Sequence, residues 1–272
     1  MATKKLKIGI VGCGAIGSTL AVLLQKKFAK NIKIVALCDI DMKRARLLAG
    51  KVKEADAVSL EKLIKASDLV VESASAKVSF EIAQKALYAG KEVLVMSVGG
   101  ILGKEKRLFD LAEKKKTKIF FPSGAVCGLD GIRALSLSKI KKITLTTMKP
   151  PQGLKGASYL LKHNISLDGI TGDKVVFQGS AMEAVRAFPQ NINVVAVLSL
   201  AAKGQVMPRV KIVASRSLKR NVHIIEVDSD AAHLKINCEN VPSPDNPRTS
   251  YLAILSALAV IAGILDPVKI GA

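Results

Sequence analysis

Three glycines near the N-terminus constrain the fold of this chain most. Gly12, Gly14 and Gly17 have the spacing G-x-G-x-x-G and follow an apolar run at residues 8–11, which predicts a buried strand. Leucines spaced three or four residues apart after Gly17 predict a helix. A strand, a glycine turn and a helix in this order predict a dinucleotide-binding turn, in which N–H groups at the helix start meet a pyrophosphate. A glycine-rich turn in another kind of α/β protein is the alternative.

An acidic residue follows at the position where this fold recognises a ribose. A second apolar run, residues 32–38, ends at Asp39, 22 positions beyond Gly17. A carboxylate there accepts hydrogen bonds from the adenosine ribose and repels a 2′-phosphate. Asp39 therefore predicts NAD as the cofactor, and the nearby Lys43, Arg44 and Arg46 leave the use of NADP open.

The order of strand and helix patterns predicts two domains. Strands alternate with helices over residues 1–122, which predicts an α/β domain with a Rossmann-type, doubly wound parallel sheet. Residues 123–245 carry five strand patterns and two helix patterns, which predict a second, α+β domain with a mixed open sheet for substrate binding and oligomerisation. We expect a C-terminal helix over 246–272 to complete the first domain, with Asn246 as its N-cap and Pro247 at its first helical position.

Composition argues against several other kinds of protein. The 272 residues carry a net charge of +20, but the lysines are scattered and aromatic residues make up only 4%, so we expect no nucleic-acid partner. Four cysteines without CxxC spacing indicate no metal site and favour a reducing cytoplasm. The apolar stretch at 251–265 is shorter than the roughly 20 residues of a membrane helix, so no membrane partner is expected.

The three histidines are the first candidates for proton transfer. His163 is expected in a surface loop and His233 at a strand edge. His223 lies in a predicted strand, where the alternation of side chains places it on one face with Ile225. A half-buried histidine that faces a cleft can accept a proton near neutral pH. A purely structural histidine is the alternative that the pattern leaves open.

Small and amide side chains mark three further segments. Ala74 and Ser75 follow the third buried strand, where a backbone can pass beside the nicotinamide ribose or simply make a tight turn. The glycine-rich residues 122–131 follow the last strand of the first domain, where ligands bind in this architecture. Asn191 and Asn193 offer amides that can bond a carboxamide, although Asn191 fits a helix N-cap equally well.

The chain resembles the L-aspartate dehydrogenases over essentially its whole length. The motifs that carry the resemblance are the glycine turn, P-S-G-A at 122–125, T-M-K-P-P at 147–151, residues 177–193, N-x-H at 221–223 and P-x-N-P-x-T-S at 244–250. The resemblance implies a second domain like that of dihydrodipicolinate reductase. It also implies NAD(P)-linked oxidation of L-aspartate to iminoaspartate, which hydrolyses to oxaloacetate and ammonia, in a reaction linked to NAD biosynthesis.

The resemblance implies that His223 is catalytic and that Ala125 and Asn191 contact NAD. Because two substrate carboxylates call for cationic, N–H or other polar donors, we interpret the substrate-binding candidates as Ser123, Lys149, Asn193 and Thr249. The cofactor-binding candidates are Gly12, Gly14, Ala15, Ile16, Gly17, Asp39, Ala74, Ser75, Ala125 and Asn191. No metal is needed for this chemistry.

Two other functions remain open at this stage. One is a reductase of the dihydrodipicolinate or homoserine dehydrogenase type, which would lack the pairing of Asn221-x-His223 with Asn246-Pro247-x-Thr249. The other is a non-catalytic NAD-binding sensor, which would need a recognition module such as a helix-turn-helix; the sequence pattern contains none. The sheet-rich second domain predicts a homodimer or a homotetramer.

Overall fold

The computed structural model describes residues 5–188, 192–244 and 246–271. The chain forms two compact units. The first contains the N-terminal part of the chain up to Pro122, together with Pro244–Thr249 and Ala253–Ile270, and the second contains Ser123–Ser243 and Ser250–Leu252.

The first unit is built on a six-stranded parallel sheet with the order β3-β2-β1-β4-β5-β6. Its strands are β1 (Leu6–Val11), β2 (Ile32–Cys38), β3 (Asp56–Ala57), β4 (Leu69–Glu72), β5 (Glu92–Val95) and β6 (Ile119–Phe120). Its connecting helices are α1 (Ala15–Phe28), α2 (Met42–Ala49), α3 (Leu60–Ala66), α4 (Ser79–Tyr88) and α5 (Glu105–Lys114). All four residues of β4 are buried, as expected for a parallel strand covered on both faces.

The strand order reverses between β1 and β4, which are neighbours although β2 and β3 lie between them in the chain. Ligands bind beyond the carboxyl ends of the strands at such a switch point. The turn after Val11 and the turn after Glu72 both begin there. The fold therefore places the glycine turn beside the small-residue turn at Ser73–Ser75 within this unit.

The second unit is built on a five-stranded sheet with the order β11-β10-β7-β9-β8. Its strands are β7 (Ile140–Lys149), β8 (Asp173–Ser180), β9 (Arg209–Ser215), β10 (Asn221–Ser229) and β11 (His233–Asn240). Its helices are α6 (Leu129–Leu135), α7 (Ser158–Lys162), α8 (Ala181–Ala187) and α9 (Ile192–Ala201). Strands β7 and β9 are parallel and the other pairs are antiparallel. The predicted fold class, a doubly wound parallel sheet plus a mixed open sheet, is confirmed.

The C-terminal segment departs from the prediction. Instead of a helix over 246–272, a short strand β13 (Asn246–Ser250) pairs with β12 (Pro242–Ser243), and helix α10 spans Tyr251–Leu265. Asn246 and Pro247 lie on β13, so they do not begin a helix. An edge strand can contain a proline because its N–H need not take part in strand pairing. None of the helices within the described ranges is long and apolar enough to cross a membrane.

Besides β12 and β13, strand β3 and helices α3, α6 and α7 were not predicted. Strand β3 has two residues, and the three helices have five to seven. Such lengths offer too few turns for a helical period to appear in the sequence. Helix α6 also begins within the glycine-rich residues 122–131.

Candidate functional site

The glycine turn between β1 and α1 has the shape that a dinucleotide needs. Gly12 has φ of +94°, and a Cβ there would lie 2.6 Å from the backbone of Ser73 and Ala74. A Cβ on Gly17 would collide with the carbonyl oxygen of Gly12. A Cβ on Gly14, in contrast, would meet nothing within 4 Å. Two glycines thus allow close packing, and the third leaves open space at the N-terminus of α1, where a pyrophosphate would fit.

Asp39 lies directly after β2 and closes the same turn. Its Oδ2 accepts a hydrogen bond from the backbone N–H of Cys13 at 2.7 Å, and its Oδ1 accepts one from the N–H of Asp41 at 2.9 Å. The carboxylate is only partly buried, so it can also accept hydrogen bonds from ribose hydroxyls. This placement suits the ribose-binding role predicted for Asp39.

Glu72 is a buried carboxyl group at the end of β4 that was not among the predicted site residues. Its side chain is 0% exposed. Oε1 accepts the N–H of Ala74 at 2.8 Å, and Oε2 accepts the N–H of Ser97 at 3.0 Å. Burial raises the pKa of Glu72, and the hydrogen bonds from Ser97 and Ala74 oppose that rise. Glu72 therefore fixes the turns after β4 and β5 to each other, including the exposed Ala74 and Ser75. The sequence signal for Glu72 was its position as an acidic residue at the end of the apolar run 69–71.

In the second unit, the pairing of β7 with β10 gathers polar side chains on the buried face of the sheet. His223 pairs with Thr147, and Ile225 pairs with Leu145. Because side chains two residues apart share a face, Lys149 extends the row of Thr147 and Leu145. His223, Thr147 and Lys149 are 6%, 0% and 8% exposed. A titratable ring and an ammonium group therefore share one buried surface.

The imidazole of His223 is held in place by its neighbour on β7. Its Nδ1 lies 3.0 Å from Oγ1 of Thr147. Burial first, and the positive charge of Lys149 second, lower the pKa of His223 to about 4. The ring is therefore neutral at physiological pH. If Nδ1 carries the proton and donates it to Thr147, the lone pair of Nε2 is free to accept another proton. Thr147 stood in a quoted motif, but no role was predicted for it.

Lys149 ends β7 as a buried cation. Its ammonium group has no hydrogen bond or ion pair within the described ranges, and burial alone lowers its pKa. Lys149 lines a cavity of about 350 Å³ together with Lys155, Ser158 and Arg186. A buried ammonium without a counter-ion is costly unless an anion pairs with it. The cavity can therefore take an anionic ligand.

A loop is hydrogen-bonded to the edge strand of this sheet. Gly124 has φ of +69°, and the carbonyl of Ala125 accepts a hydrogen bond from Nδ2 of Asn240 at 3.0 Å. The hydroxyl of Ser250 donates to Oδ1 of Asn240 at 2.5 Å. Asn240 is 4% exposed and ends β11, which neighbours β10. The backbone at Ala125 is thereby anchored to the sheet that holds His223.

The remaining candidates divide between the two units. Ala15 and Ile16 form the half-buried start of α1, and Thr249 lies on β13 rather than at the helix start where it was expected. In the second unit, Asn193 is an exposed residue in the first turn of α9. Asn191 lies outside the described residues.

The other two histidines are on the surface. His163 is exposed and stacks on Tyr159, with ring centroids 4.2 Å apart. His233 is exposed, and its Nδ1 lies 2.5 Å from Oδ1 of Asp228. Within the ranges that the structure describes, no group of three His, Cys, Asp or Glu side chains could hold a metal ion. His223 is thus the single buried histidine of the described chain.

Two family models match this chain. Residues 130–264 match the model described as aspartate dehydrogenase, C-terminal, and residues 12–122 match the homoserine dehydrogenase NAD-binding domain. The chain is 44% identical to the L-aspartate dehydrogenase of Methanosarcina acetivorans over 98% of this chain and 99% of that protein. It is 42% identical to the L-aspartate dehydrogenase of Methanocaldococcus jannaschii, again over 98% and 99%.

Solved structures share the fold. The aspartate dehydrogenase from Thermotoga maritima superposes with a TM-score of 0.78 at 24% identity, over 98% of this chain and 100% of that one. A homoserine dehydrogenase from Thiobacillus denitrificans superposes with a TM-score of 0.63 at 14% identity, over 96% and 73%. At these identities the structural likeness supports the architecture alone.

Proposed function

Because this chain belongs to the L-aspartate dehydrogenase family, we propose that it oxidises L-aspartate to iminoaspartate with NAD or NADP. Water then hydrolyses the imine to oxaloacetate and ammonia. The observation that carries the proposal is the buried face on which a neutral His223 lies beside Lys149, whose ammonium group has no ion-pair partner among the described residues. The N-terminal half matches the NAD-binding domain of homoserine dehydrogenases, which makes their reaction the rival. The match of residues 130–264 to the aspartate dehydrogenase model favours oxidation of aspartate instead.

The residues of the first unit fit a nicotinamide dinucleotide. The open space at Gly14 and the free N–H groups at the start of α1, from Ala15 and Ile16, suit the pyrophosphate, and Asp39 suits the adenosine ribose. The exposed Ala74 and Ser75, fixed through Glu72, suit the nicotinamide half. When it is bound, the oxidised nicotinamide supplies the acceptor for the hydride that leaves the substrate Cα.

Two residues in the sequence range of the second unit are further candidates for contacts with the cofactor. The backbone at Ala125 is anchored by Asn240, as its hydrogen bond of 3.0 Å supports. We assign Ala125 and Asn191 to NAD on the basis of the family motifs in which they lie.

His223 is the proposed proton acceptor. Oxidation of an amine to an imine requires the nitrogen to release protons, and a neutral imidazole can accept one directly or through water. In the proposed tautomer, Nδ1–H of His223 donates a hydrogen bond to Oγ1 of Thr147, 3.0 Å away, which leaves Nε2 as the basic atom. Once Nε2 has released that proton to solvent, it can accept another from the water that attacks the imine. The low pKa of His223 keeps it unprotonated before each turnover.

Lys149 is the proposed partner of a substrate carboxylate. A carboxylate beside its ammonium group would offset the cost of burying that charge and hold the group protonated. Lys155 and Arg186 line the same cavity and add positive charge. Ser123, Asn193 and Thr249 are further candidates for the carboxylates through their side-chain donors.

We also propose that the protein works in the cytoplasm as a homodimer or homotetramer. The four free cysteines support a reducing compartment. Exposed apolar side chains of the second unit, such as Leu161, Val175 and Met207, support self-association. Sedimentation velocity on the full chain measures the oligomeric state, and a monomer at micromolar concentration would reject that part of the proposal.

The decisive experiment measures NADH formation after L-aspartate is added to the purified full chain at alkaline pH. The reverse assay supplies oxaloacetate, ammonia and NADH. L-homoserine and L-glutamate serve as controls for the rival reductase and for side-chain length. We expect turnover with aspartate alone. Turnover with homoserine alone would establish the rival function, and no turnover in either direction would remove the dehydrogenase proposal.

A further inference from the structure

Two cysteines that no step above uses lie side by side in the second unit. Sγ of Cys127 and Sγ of Cys238 are 3.1 Å apart, within range of a weak S–H···S hydrogen bond. Both are free thiols; Cys127 is exposed, and Cys238 is 5% exposed. A disulfide bond is about 2.05 Å long, so an approach of roughly 1 Å would join them. One thiol is thus accessible from solvent, and its neighbour is shielded behind it.

The position of this pair connects it to the candidate site. Cys238 pairs in register with His223 across β10 and β11. Cys127 lies in the segment 123–128, which is tied to β11 by the hydrogen bond from Asn240 to Ala125 and by the packing of Gly128 against Ile236. A bond between the two sulfurs would therefore pull that segment and the strand residue beside His223 toward each other.

We propose that Cys127 and Cys238 form a reversible redox-active pair, and that their disulfide lowers the turnover of the enzyme. The second half rests on the proposed function, because it assumes that His223 and the segment 123–128 serve the reaction. A displacement of about 1 Å in an active site can cost on the order of 10²-fold in rate. Disulfides of cytoplasmic proteins are usually transient and redox-sensing, which suits a pair that is reduced at rest.

The chemistry is a thiol–disulfide exchange with a low-molecular-weight disulfide as oxidant. The thiolate of the exposed Cys127 attacks one sulfur of that disulfide, which forms a mixed disulfide and releases one small thiolate. Cys238, after losing its proton to water, attacks Sγ of Cys127 and expels the second small thiolate. The two cysteines lose two electrons and two protons, and the small disulfide becomes two thiols. Burial and the neighbouring Cys127 raise the pKa of Cys238 to about 12, so Cys127 reacts first.

The other two cysteines provide the contrast. Sγ of Cys13 lies 3.7 Å from the carbonyl oxygen of Cys38, so this thiol bonds to backbone rather than to a second thiol. Cys13 is buried within the glycine turn. Cys38 is the suitable control position, because its replacement leaves the pair of Cys127 and Cys238 intact.

The test treats the reduced full chain with excess oxidised glutathione and maps its peptides without reduction. Turnover with L-aspartate and the Kd for NADH are measured before oxidation, after oxidation and after dithiothreitol. We expect a peptide that joins Cys127 to Cys238, a fall in turnover of about 10-fold or more, a higher Kd for NADH and recovery with dithiothreitol. Cys38→Ser should keep this response, and Cys127→Ser should lose it. Cys238→Ser should hold only a glutathione adduct on Cys127.

Each outcome decides one part of the proposal. Absence of the joined peptide would overturn the redox pair, and a joined peptide with unchanged turnover and unchanged Kd would overturn its influence on the site. An adduct on Cys238→Ser that inhibits as strongly as the wild-type disulfide would assign the effect to bulk at Cys127 instead. If the reduced enzyme does not oxidise aspartate, the proposed function fails, whereas the joined peptide and the Kd for NADH still decide the pair.

Discussion

The proposed ligand sites of the two units are built from different groups. The first unit uses backbone and open space: Gly14 leaves room, and Gly12 and Gly17 permit close packing. The N–H groups at the start of α1 complement the negative charge of a pyrophosphate. The second offers buried, ionisable side chains, with His223 and Lys149 held on one face by strand pairing. Substitutions in the first unit should therefore change cofactor affinity through space, and those in the second should change chemistry and substrate affinity through charge.

The largest expected effect is that of His223→Ala. Removal of the proposed proton acceptor should reduce kcat by at least about 10²-fold, the low end for general acid–base catalysis. The Kd for NADH should change little, because the glycine turn is untouched. Steady-state kinetics with L-aspartate and a fluorescence titration with NADH measure the two quantities.

His233→Ala is the matched control for that substitution. His233 is exposed and pairs with Asp228 at the edge of the sheet, so its loss should leave kcat within about two-fold of the wild type. Equal effects of the two substitutions would show that His223 has a structural role. The second unit would then not supply the proton acceptor.

The next largest effect should come from Lys149→Met, which keeps the length of the side chain and removes its charge. Breaking a buried charge–carboxylate pair costs about 2–5 kcal/mol, so KM for aspartate should rise by 30-fold or more. The side chain of Lys142, on the same strand, is exposed and offers the control Lys142→Met. A KM that changes equally in both variants would remove Lys149 from the substrate site.

The same variant should also change the pH profile, and the sign follows from the charge. Burial first and Lys149 second lower the pKa of His223 to about 4, so the imidazole loses its basic form only in strong acid. Without the ammonium, protonation of the imidazole becomes easier and its pKa rises toward the ordinary value of about 6.5. The acidic limb of kcat/KM should therefore move to higher pH. An acidic limb that stays in place would show that the two groups do not interact.

Strand and helix patterns were enough to predict most of the architecture, because both sheets are built from runs that are apolar or alternate in polarity. The glycine turn and Asp39 were predictable for a second reason: each acts at a fixed offset from a strand end. The start of α10 was not, since Asn246-Pro247 fits both a helix N-terminus and an edge strand, and only the pairing with β12 decides between them.

The second unit shows what a pattern cannot supply. Thr147 and His223 are 76 residues apart, and a shift of one residue in the pairing of β7 with β10 would turn their side chains to opposite faces. Alternation predicted which face His223 shares with Ile225, but not that Thr147 faces its ring. Glu72 was missed for a similar reason, because its two partners lie at the ends of different strands.

A smaller effect should distinguish the glycines of the first unit. Gly14→Ala adds a methyl group where the free protein has open space, so the free energy of unfolding should stay unchanged while the Kd for NADH rises about 10-fold. Gly17→Ala forces a methyl against the carbonyl of Gly12, and overpacking of this kind costs about 1–3 kcal/mol of stability. Urea denaturation and NADH titration separate the two outcomes. Equal loss of stability would contradict the assignment of open space to Gly14.

The smallest expected effect is the loss of cofactor selectivity in Asp39→Ser. Its carboxylate accepts the N–H of Cys13 and that of Asp41, and it should also repel the 2′-phosphate of NADP. Serine keeps a hydroxyl near the turn but removes the negative charge, so KM for NADP should fall and KM for NAD should rise, each by a few-fold. Lys43 and Arg46 then become available to the phosphate. The ratio of kcat/KM for NAD and NADP, with Asp56→Ser on the edge strand β3 as control, measures the change. An unchanged ratio would mean that Asp39 serves only to close the glycine turn, and that the first unit recognises its ligand by shape and backbone alone.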